Sequence, residues 1–145
     1  RKWGFEKFKK DGIQHYGINI PLGRVPRKIL TFFGEYGLNL LYQRIEKEFG
    51  KPDLMHAHFT GSSYLATKLK EDNKLPLIVT EHSSKIMAKN IDDGLFNRAH
   101  FIYNNADKVI SVSPVFQKII KNKFDVDNIA DEVHKQYKKE VEQNG

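Results

Sequence analysis

The sequence predicts an α/β domain in which helices flank a parallel β-sheet, and two features indicate this fold class. In the second half of the chain, short apolar runs alternate with segments that have helical period. The middle run, Pro76–Thr80 (PLIVT), is almost purely apolar, as expected of a strand buried on both faces of a parallel sheet. The simplest arrangement with this alternation is Rossmann-like.

The first half of the chain is predicted to contain a short helix, a strand and a long helix. Residues 3–10 are predicted as the short helix, closed by Asp11-Gly12, and Ile13–Ile20 as the strand, ended by Pro21. Apolar residues recur at helical spacing over Arg27–Phe49, and Gly50 closes that helix.

The second half is predicted to alternate strands and helices. Ser113 is expected to cap the last of these helices, with Pro114 at its first position. A separate amphipathic helix is predicted over Asp127–Glu142, with Ile129, Val133, Tyr137 and Val141 along one face. The predicted strands are Leu54–Phe59, Pro76–Thr80 and Lys108–Val112, and the helices between and after them are Ser62–Glu71, about Phe96–Asn105, and Pro114–Phe124.

Composition limits the classes of partner. The 145 residues form one domain of ordinary size, with a net charge of +6 that favours anionic partners such as lipid headgroups or phosphorylated substrates. No nucleic-acid-binding motif accompanies the charge, so nucleic acid is not expected as a partner.

The chain has no Cys, which excludes disulfides and fits the cytosol. It shows no membrane-span-length apolar run or signal peptide, and its start without Met suggests that it begins inside a longer product or was trimmed.

Polar residues follow each buried strand, where ligands gather in parallel α/β sheets. His58, Gly61 and Ser62 follow the first strand, and Ser113 follows the third. The second strand ends in Thr80-Glu81-His82. Together these residues predict one crevice lined with hydrogen-bonding groups.

Each of these features has a structural interpretation beside the functional one. His56 and His58 share a face of a strand, but a buried structural role for His56 is favoured over a metal site, and no metal is expected. The Gly61-Ser62-Ser63 helix start is interpreted either as an anion site or as an ordinary cap. His82 is interpreted either as an acid/base partner of Glu81 or as a solvated loop residue.

Arg24–Phe33 (RVPRKILTFF) places three cations, Arg24, Arg27 and Lys28, beside bulky apolar residues. Such a helix start can dock on an anionic membrane surface. The simpler interpretation, a helix with a core face and solvated charges, is favoured by the sequence.

Three stretches in order resemble glycosyltransferase family 4, which builds bacterial capsule, lipopolysaccharide and related glycans. They are 52–58 (PDLMHAH) with Gly61, 75–82 (LPLIVTEH) and 106–113 (ADKVISVS), and the resemblance covers about residues 13 to 124. The resemblance implies one Rossmann-like half of a GT-B fold, the half that faces the acceptor. It places His82 near the transferred sugar, His58 and Gly61 along the same cleft, and Ser113 near the inter-domain crevice. It also implies a retaining reaction without a metal cofactor.

Two parts of the family pattern are missing from this sequence. They are a first strand with a glycine-rich loop, expected before residue 1, and the donor domain. Glu132 and Glu140 have the family's Glu-x7-Glu spacing but lie in a charged amphipathic segment and are interpreted as solvated. Residues 125–137 resemble the family's C-terminal crossover helix, and the resemblance implies that this helix packs back on the Rossmann-like domain. The predicted organisation is a Rossmann-like domain over 1–124 and a crossover helix over 125–145, with the donor domain removed by engineering or gene degradation.

The sequence therefore predicts the acceptor-binding half of a retaining, hexosyltransferase-type glycosyltransferase, inactive by itself. Its expected substrates are a glycan or lipid-linked acceptor and a nucleotide sugar, and its expected place is the cytoplasm, at the inner face of the plasma membrane. One alternative is a non-catalytic module that pairs with a separate donor-domain chain. Another is a nucleotide-binding reductase, against which the missing Gly-x-Gly-x-x-Gly turn counts.

Overall fold

The computed structural model describes residues 3–129. The chain divides into two compact units, one ending at Pro52 and the other beginning at Asp53. The first contains a β-hairpin and a long helix, and the second contains a parallel sheet with helices.

The first unit begins with two antiparallel strands, β1 (Gly4–Lys10) and β2 (Ile13–Asn19). The prediction of a helix over residues 3–10 is therefore wrong. Asp11 and Gly12 have φ angles of 52° and 80°, and this left-handed pair makes the two-residue turn that a right-twisted hairpin favours. Pairing runs from Lys10 opposite Ile13 back to Gly4 opposite Asn19, so the turn sets the register of the whole hairpin. The predicted strand β2 is confirmed.

Helix α1 spans Arg27–Phe49, as predicted, and packs against β2. Gly37, which weakens the helix by propensity, lies against side chains from the end of the hairpin. A Cβ atom there would lie 3.0 Å from Ile20 Cδ1 and 3.2 Å from Ile18 Cγ2. At the far end, Glu48 forms an ion pair with Lys7 and accepts a 2.8 Å hydrogen bond from the Tyr16 hydroxyl. The hairpin is thus joined to the helix by close packing and by this polar cluster.

The second unit contains a three-stranded parallel sheet with helices between its strands, which confirms the predicted fold class. The elements are β3 (Met55–His58), α2 (Phe59–Asn73), β4 (Leu77–Glu81), α3 (Ser84–Met87), α4 (Asp93–Asn105), β5 (Lys108–Ser111) and α5 (Pro114–Phe124), and the strand order is β3-β4-β5. The strands and helices predicted between residues 54 and 124 are all present, although α2 and α4 begin earlier than predicted and the single turn α3 was not predicted. Helix α4 begins early because the Asp92 carboxylate accepts a 3.0 Å hydrogen bond from Leu95 N–H.

The core of the second unit lies between this sheet and its helices. Side chains on alternate positions of β4 and on the inner faces of α4 and α5 are fully buried. The predicted cap of α5 is confirmed, because the Ser113 hydroxyl accepts a 3.2 Å hydrogen bond from Phe116 N–H. The largest apolar side chains of this core are Leu77, Ile86, Ile102, Tyr103, Phe116, Ile120 and Phe124.

Residues after α5 extend the sheet instead of starting a helix at Asp127. Ile129 makes a parallel bridge to Val109, and Val109 N–H donates a 3.1 Å hydrogen bond to the Asn128 carbonyl. The Asn128 side-chain amide donates to the carbonyls of Tyr103 and Ala106, at 2.8 and 2.6 Å. The predicted helix start is therefore wrong for 127–129, because these contacts hold the chain extended. The rest of that predicted helix, with Glu132, Val133, Tyr137, Glu140 and Val141, lies outside the described residues.

Candidate functional site

The predicted polar residues of the three strands meet at one edge of the sheet of the second unit. The strands are parallel, and the register pairs His58 with Thr80 and Glu81 with Ser111. Their carboxyl ends therefore lie side by side, as the sequence predicts for a shared crevice.

Three exposed histidines form a cluster at this edge. The ring centroids of His56 and His58 are 4.4 Å apart, and those of His58 and His82 are 6.1 Å apart in an edge-on arrangement. His56 Nε2 lies 2.8 Å from Thr80 Oγ1, so His56 is anchored to the neighbouring strand and is not buried as the structural interpretation assumed. Partial loss of solvent around the ring, and then the nearby charge of His58, lower the pKa of His56.

Phe59 connects the cluster to the helix that follows. It has a φ angle of 62°, which is an unusual conformation for a bulky residue and lies at the turn from β3 into α2. Its ring remains half exposed, and the ring centroid lies 3.5 Å from that of His82. Backbone strain of this kind is maintained only where surrounding structure fixes it, and it is found frequently at binding sites.

The side chain of Glu81 is fully buried beneath His82. Its Oε1 accepts hydrogen bonds from the backbone N–H groups of His82 and Ser83, at 3.0 and 2.9 Å. Its Oε2 accepts from the hydroxyls of Thr60 and Tyr103, at 2.8 and 2.9 Å. Four donors from three segments of the chain thus surround one carboxylate.

This arrangement separates the roles of Glu81 and His82. The carboxylate contacts the backbone of His82 and not its imidazole, so the two side chains do not form an acid/base pair in this geometry. Each carboxylate oxygen of Glu81 already accepts two hydrogen bonds from protein donors. Neither oxygen is therefore directed outward to a ligand. His82 is exposed above it and presents its ring beside Phe59.

The other predicted site residues lie at the helix starts along the same edge. The Ser62 hydroxyl donates to the His58 carbonyl, and no side chain caps the first turn of α2. Gly61 is exposed, and beyond its own helix turn no atom of residues 3–129 lies within 4 Å of where a Cβ would be. Ser113 uses its hydroxyl to cap α5, as described above. Free N–H groups at the start of α2 are a common place for anions, and within the described part of the chain the space beside Gly61 is open.

Sequence reasoning missed three residues of this site: Phe59, Thr60 and Tyr103. Burial, and then the negative charge of Glu81, raise the pKa of Tyr103, so its hydroxyl keeps its proton and donates. Thr60 and Tyr103 are separated from Glu81 by 21 and 22 positions, and no local pattern links them. An exposed aromatic immediately after a buried strand was the signal available for Phe59.

Within residues 3–129, no group of three or more His, Cys, Asp or Glu side chains is arranged to hold a metal ion. The histidines instead contact Thr80, one another and Phe59.

A protein-family model described as Glycosyltransferase Family 4 matches residues 2–134, which is most of the chain. Comparison with curated proteins gives no significant match.

The buried carboxylate generates a prediction about stability. Glu81→Leu should lower the free energy of unfolding by about 3–5 kcal/mol, because it leaves buried donors without an acceptor. Glu81→Gln should lower it by about 1–3 kcal/mol, since the amide oxygen still accepts from the backbone and the two hydroxyls can turn to accept from its NH₂. Urea denaturation measures both.

The matched control is Glu71→Leu, at an exposed helix position where Glu71 makes only a surface ion pair with Lys68. That change should alter the free energy of unfolding by less than about 1 kcal/mol. Equal effects of the Glu81 and Glu71 substitutions would contradict the four-donor arrangement.

Proposed function

This chain belongs to glycosyltransferase family 4, and on that premise we propose that it forms the acceptor-facing half of a retaining sugar transferase. The observation that supports the proposal most is the exposed ring of His82, which is set against Phe59 on a backbone that Glu81 holds from below. An exposed polar group on a rigid strand end is what a transferase needs beside a reacting sugar.

His82 is proposed to act on the charge of the transition state. Glycosyl transfer passes through an oxocarbenium-like transition state, and fixed polar groups aimed at it lower the barrier without reorganising. The two backbone hydrogen bonds to Glu81 hold the chain at His82 and Ser83, and Phe59 limits the movement of the ring. In this proposal the reaction uses neither a protein nucleophile nor a metal.

Substrate contacts are assigned to the groups around His82. His58, Thr80 and Ser62 supply polar atoms along the strand ends, and Gly61 leaves space for close approach. The start of α2, which no side chain caps, is proposed to face an anionic substrate group. Ser113 lies at the third strand end of the same edge, while Glu81 positions the loop without touching substrate.

The sugar is proposed to come from a nucleotide sugar held by a donor-binding half that residues 3–129 do not contain. The acceptor is proposed to be a glycan or a lipid-linked sugar of bacterial surface polysaccharide or glycolipid synthesis. On this proposal the 145-residue chain transfers no sugar by itself. If a separate chain supplies the donor-binding half, transferase activity appears only when the two chains are mixed.

His82 gives the direct test of this function. In an enzyme that contains both halves, His82→Ala should lower kcat/KM by about two orders of magnitude, as loss of a group acting on transition-state charge does. Transfer from a radiolabelled nucleotide sugar to an acceptor lipid extract measures it. His100→Ala, an exposed helix position of the same unit, is the matched control and should retain activity. An unchanged kcat/KM in the His82→Ala variant would mean that His82 is a solvated loop residue.

The start of α1 in the first unit is proposed to contact an anionic membrane surface. Arg24, Arg27 and Lys28 are exposed, and the first turn of the helix has no acidic residue. The adjoining apolar side chains Leu30 and Phe32 are 48% and 64% exposed, which is not what a helix with a core face alone would show. Among the described helices, α1 included, none has the length and apolar content to cross a membrane.

Replacing Arg24, Arg27 and Lys28 by Gln should weaken binding to anionic vesicles. Each cation near such a surface contributes about 1 kcal/mol, so the triple change should remove roughly 3 kcal/mol of binding free energy. Sedimentation with phosphatidylglycerol–phosphatidylcholine vesicles at low salt measures the partition. The control is Lys9→Gln, Lys10→Gln and Lys51→Gln, which removes the same charge from exposed positions of the same unit. Equal losses in the two triple variants would exclude a specific membrane face.

A further inference from the structure

A groove of about 530 Å³ lies between the end of α3 and the outer face of α5. On α5 it is lined by Val115, Lys118, Ile119, Asn122 and Lys123, which share one helix face beside the core residues Phe116 and Ile120, and Ile119 also packs against the core. The opposite wall is Met87, Ala88 and Lys89. Lys123 fixes the two walls together, since its ammonium donates to the carbonyls of Ile86 and Ala88 at 3.3 and 2.6 Å.

The lining of the groove combines apolar side chains with charged side chains that are all positive. Val115 and Met87 are 67% and 43% exposed, although both are apolar. Among residues 3–129, those that line it include three lysines, Lys89, Lys118 and Lys123, and no Asp or Glu. Lys89 and Lys118 line the groove and make no ion pair among residues 3–129. An occupant that suits both properties has an anionic head and a hydrocarbon tail.

We propose that this groove binds a phosphorylated lipid, with the phosphate on Lys89 and Lys118 and the start of the hydrocarbon chain on Met87, Val115 and Ile119. Ammonium groups bind phosphate as point charges, and two of them match its charge. A nucleic-acid backbone would match the lysines but leave the apolar lining exposed to water. The lining therefore selects an amphiphile over a simple polyanion.

The groove runs along α5 from Val115, in the first turn, to Lys123, in the last, so one of its ends lies close to the carboxyl end of β5. Helix α3 begins at Ser84, just after His82, and α5 begins at Pro114, just after Ser113. Resting on the function proposed above, this placement makes the groove the subsite for the lipid phosphate of the acceptor. The acceptor is then an amphiphile. Its phosphate and lipid lie in the groove, and its sugar reaches the strand ends.

The two methionines of the chain provide a direct assay, because Met87 lines the groove and Met55 lies in β3. The chain is labelled with ¹³C at the methionine methyl groups and titrated with octyl phosphate below its micelle concentration. We expect a saturable shift of the Met87 signal and no shift of the Met55 signal. Inorganic phosphate and uncharged octanol, titrated separately, should each bind at least about tenfold more weakly, since each meets only half of the site.

Charge variants test the assigned lysines. Lys89→Gln with Lys118→Gln should raise the Kd for octyl phosphate by about fivefold or more, and the matched pair Lys9→Gln with Lys10→Gln by less than about twofold. Equal effects of the two pairs, equal binding of octanol and octyl phosphate, or no Met87 shift would overturn the proposal. Binding that appears only after removal of residues 130–145 would assign the groove to that segment instead.

This titration does not depend on sugar transfer. Groove binding together with an unaffected His82→Ala enzyme would leave the lipid site standing and remove the proposed function. No groove binding, together with an inactive His82→Ala enzyme, would remove the lipid site and leave the proposed function standing.

Discussion

The buried carboxylate of Glu81 is the constraint on which the candidate site depends. Burying a charge is unfavourable unless hydrogen-bond donors replace the water it loses, and here four donors do so. They come from the start of α2, from α4 and from the backbone that leaves β4. One side chain thereby fixes two helices and a strand end relative to each other.

The exposed chemistry of this edge follows from that constraint. Because Glu81 holds the backbone of His82 and Ser83, the imidazole of His82 projects outward beside the strained Phe59. The chain then enters α3, whose end is tied to α5 by Lys123, and the lysine-lined groove forms between them. The segment that leaves the polar strand end thus leads into one wall of the proposed lipid-phosphate groove, whose other wall is α5.

Local sequence patterns predicted the features that depend on residues close together in the chain. The apolar run of β4 and the Ser113-Pro114 cap are confirmed because burial and capping depend on neighbouring residues. The error over residues 3–10 came from interpreting Asp11-Gly12 as the end of a helix, where it is the two-residue turn of a hairpin. Burial of Glu81 was not predictable, since its donors Thr60 and Tyr103 reach it only through the tertiary fold.

Amide hydrogen exchange at His82 and Ser83 tests the central claim, that Glu81 fixes the backbone of the site. Both N–H groups donate to the buried carboxylate, so NMR should show them exchanging about two orders of magnitude more slowly than the amide of Asn90, in the loop after α3. Exchange of His82 and Ser83 at the rate of Asn90, after correction for intrinsic rates, would contradict the account.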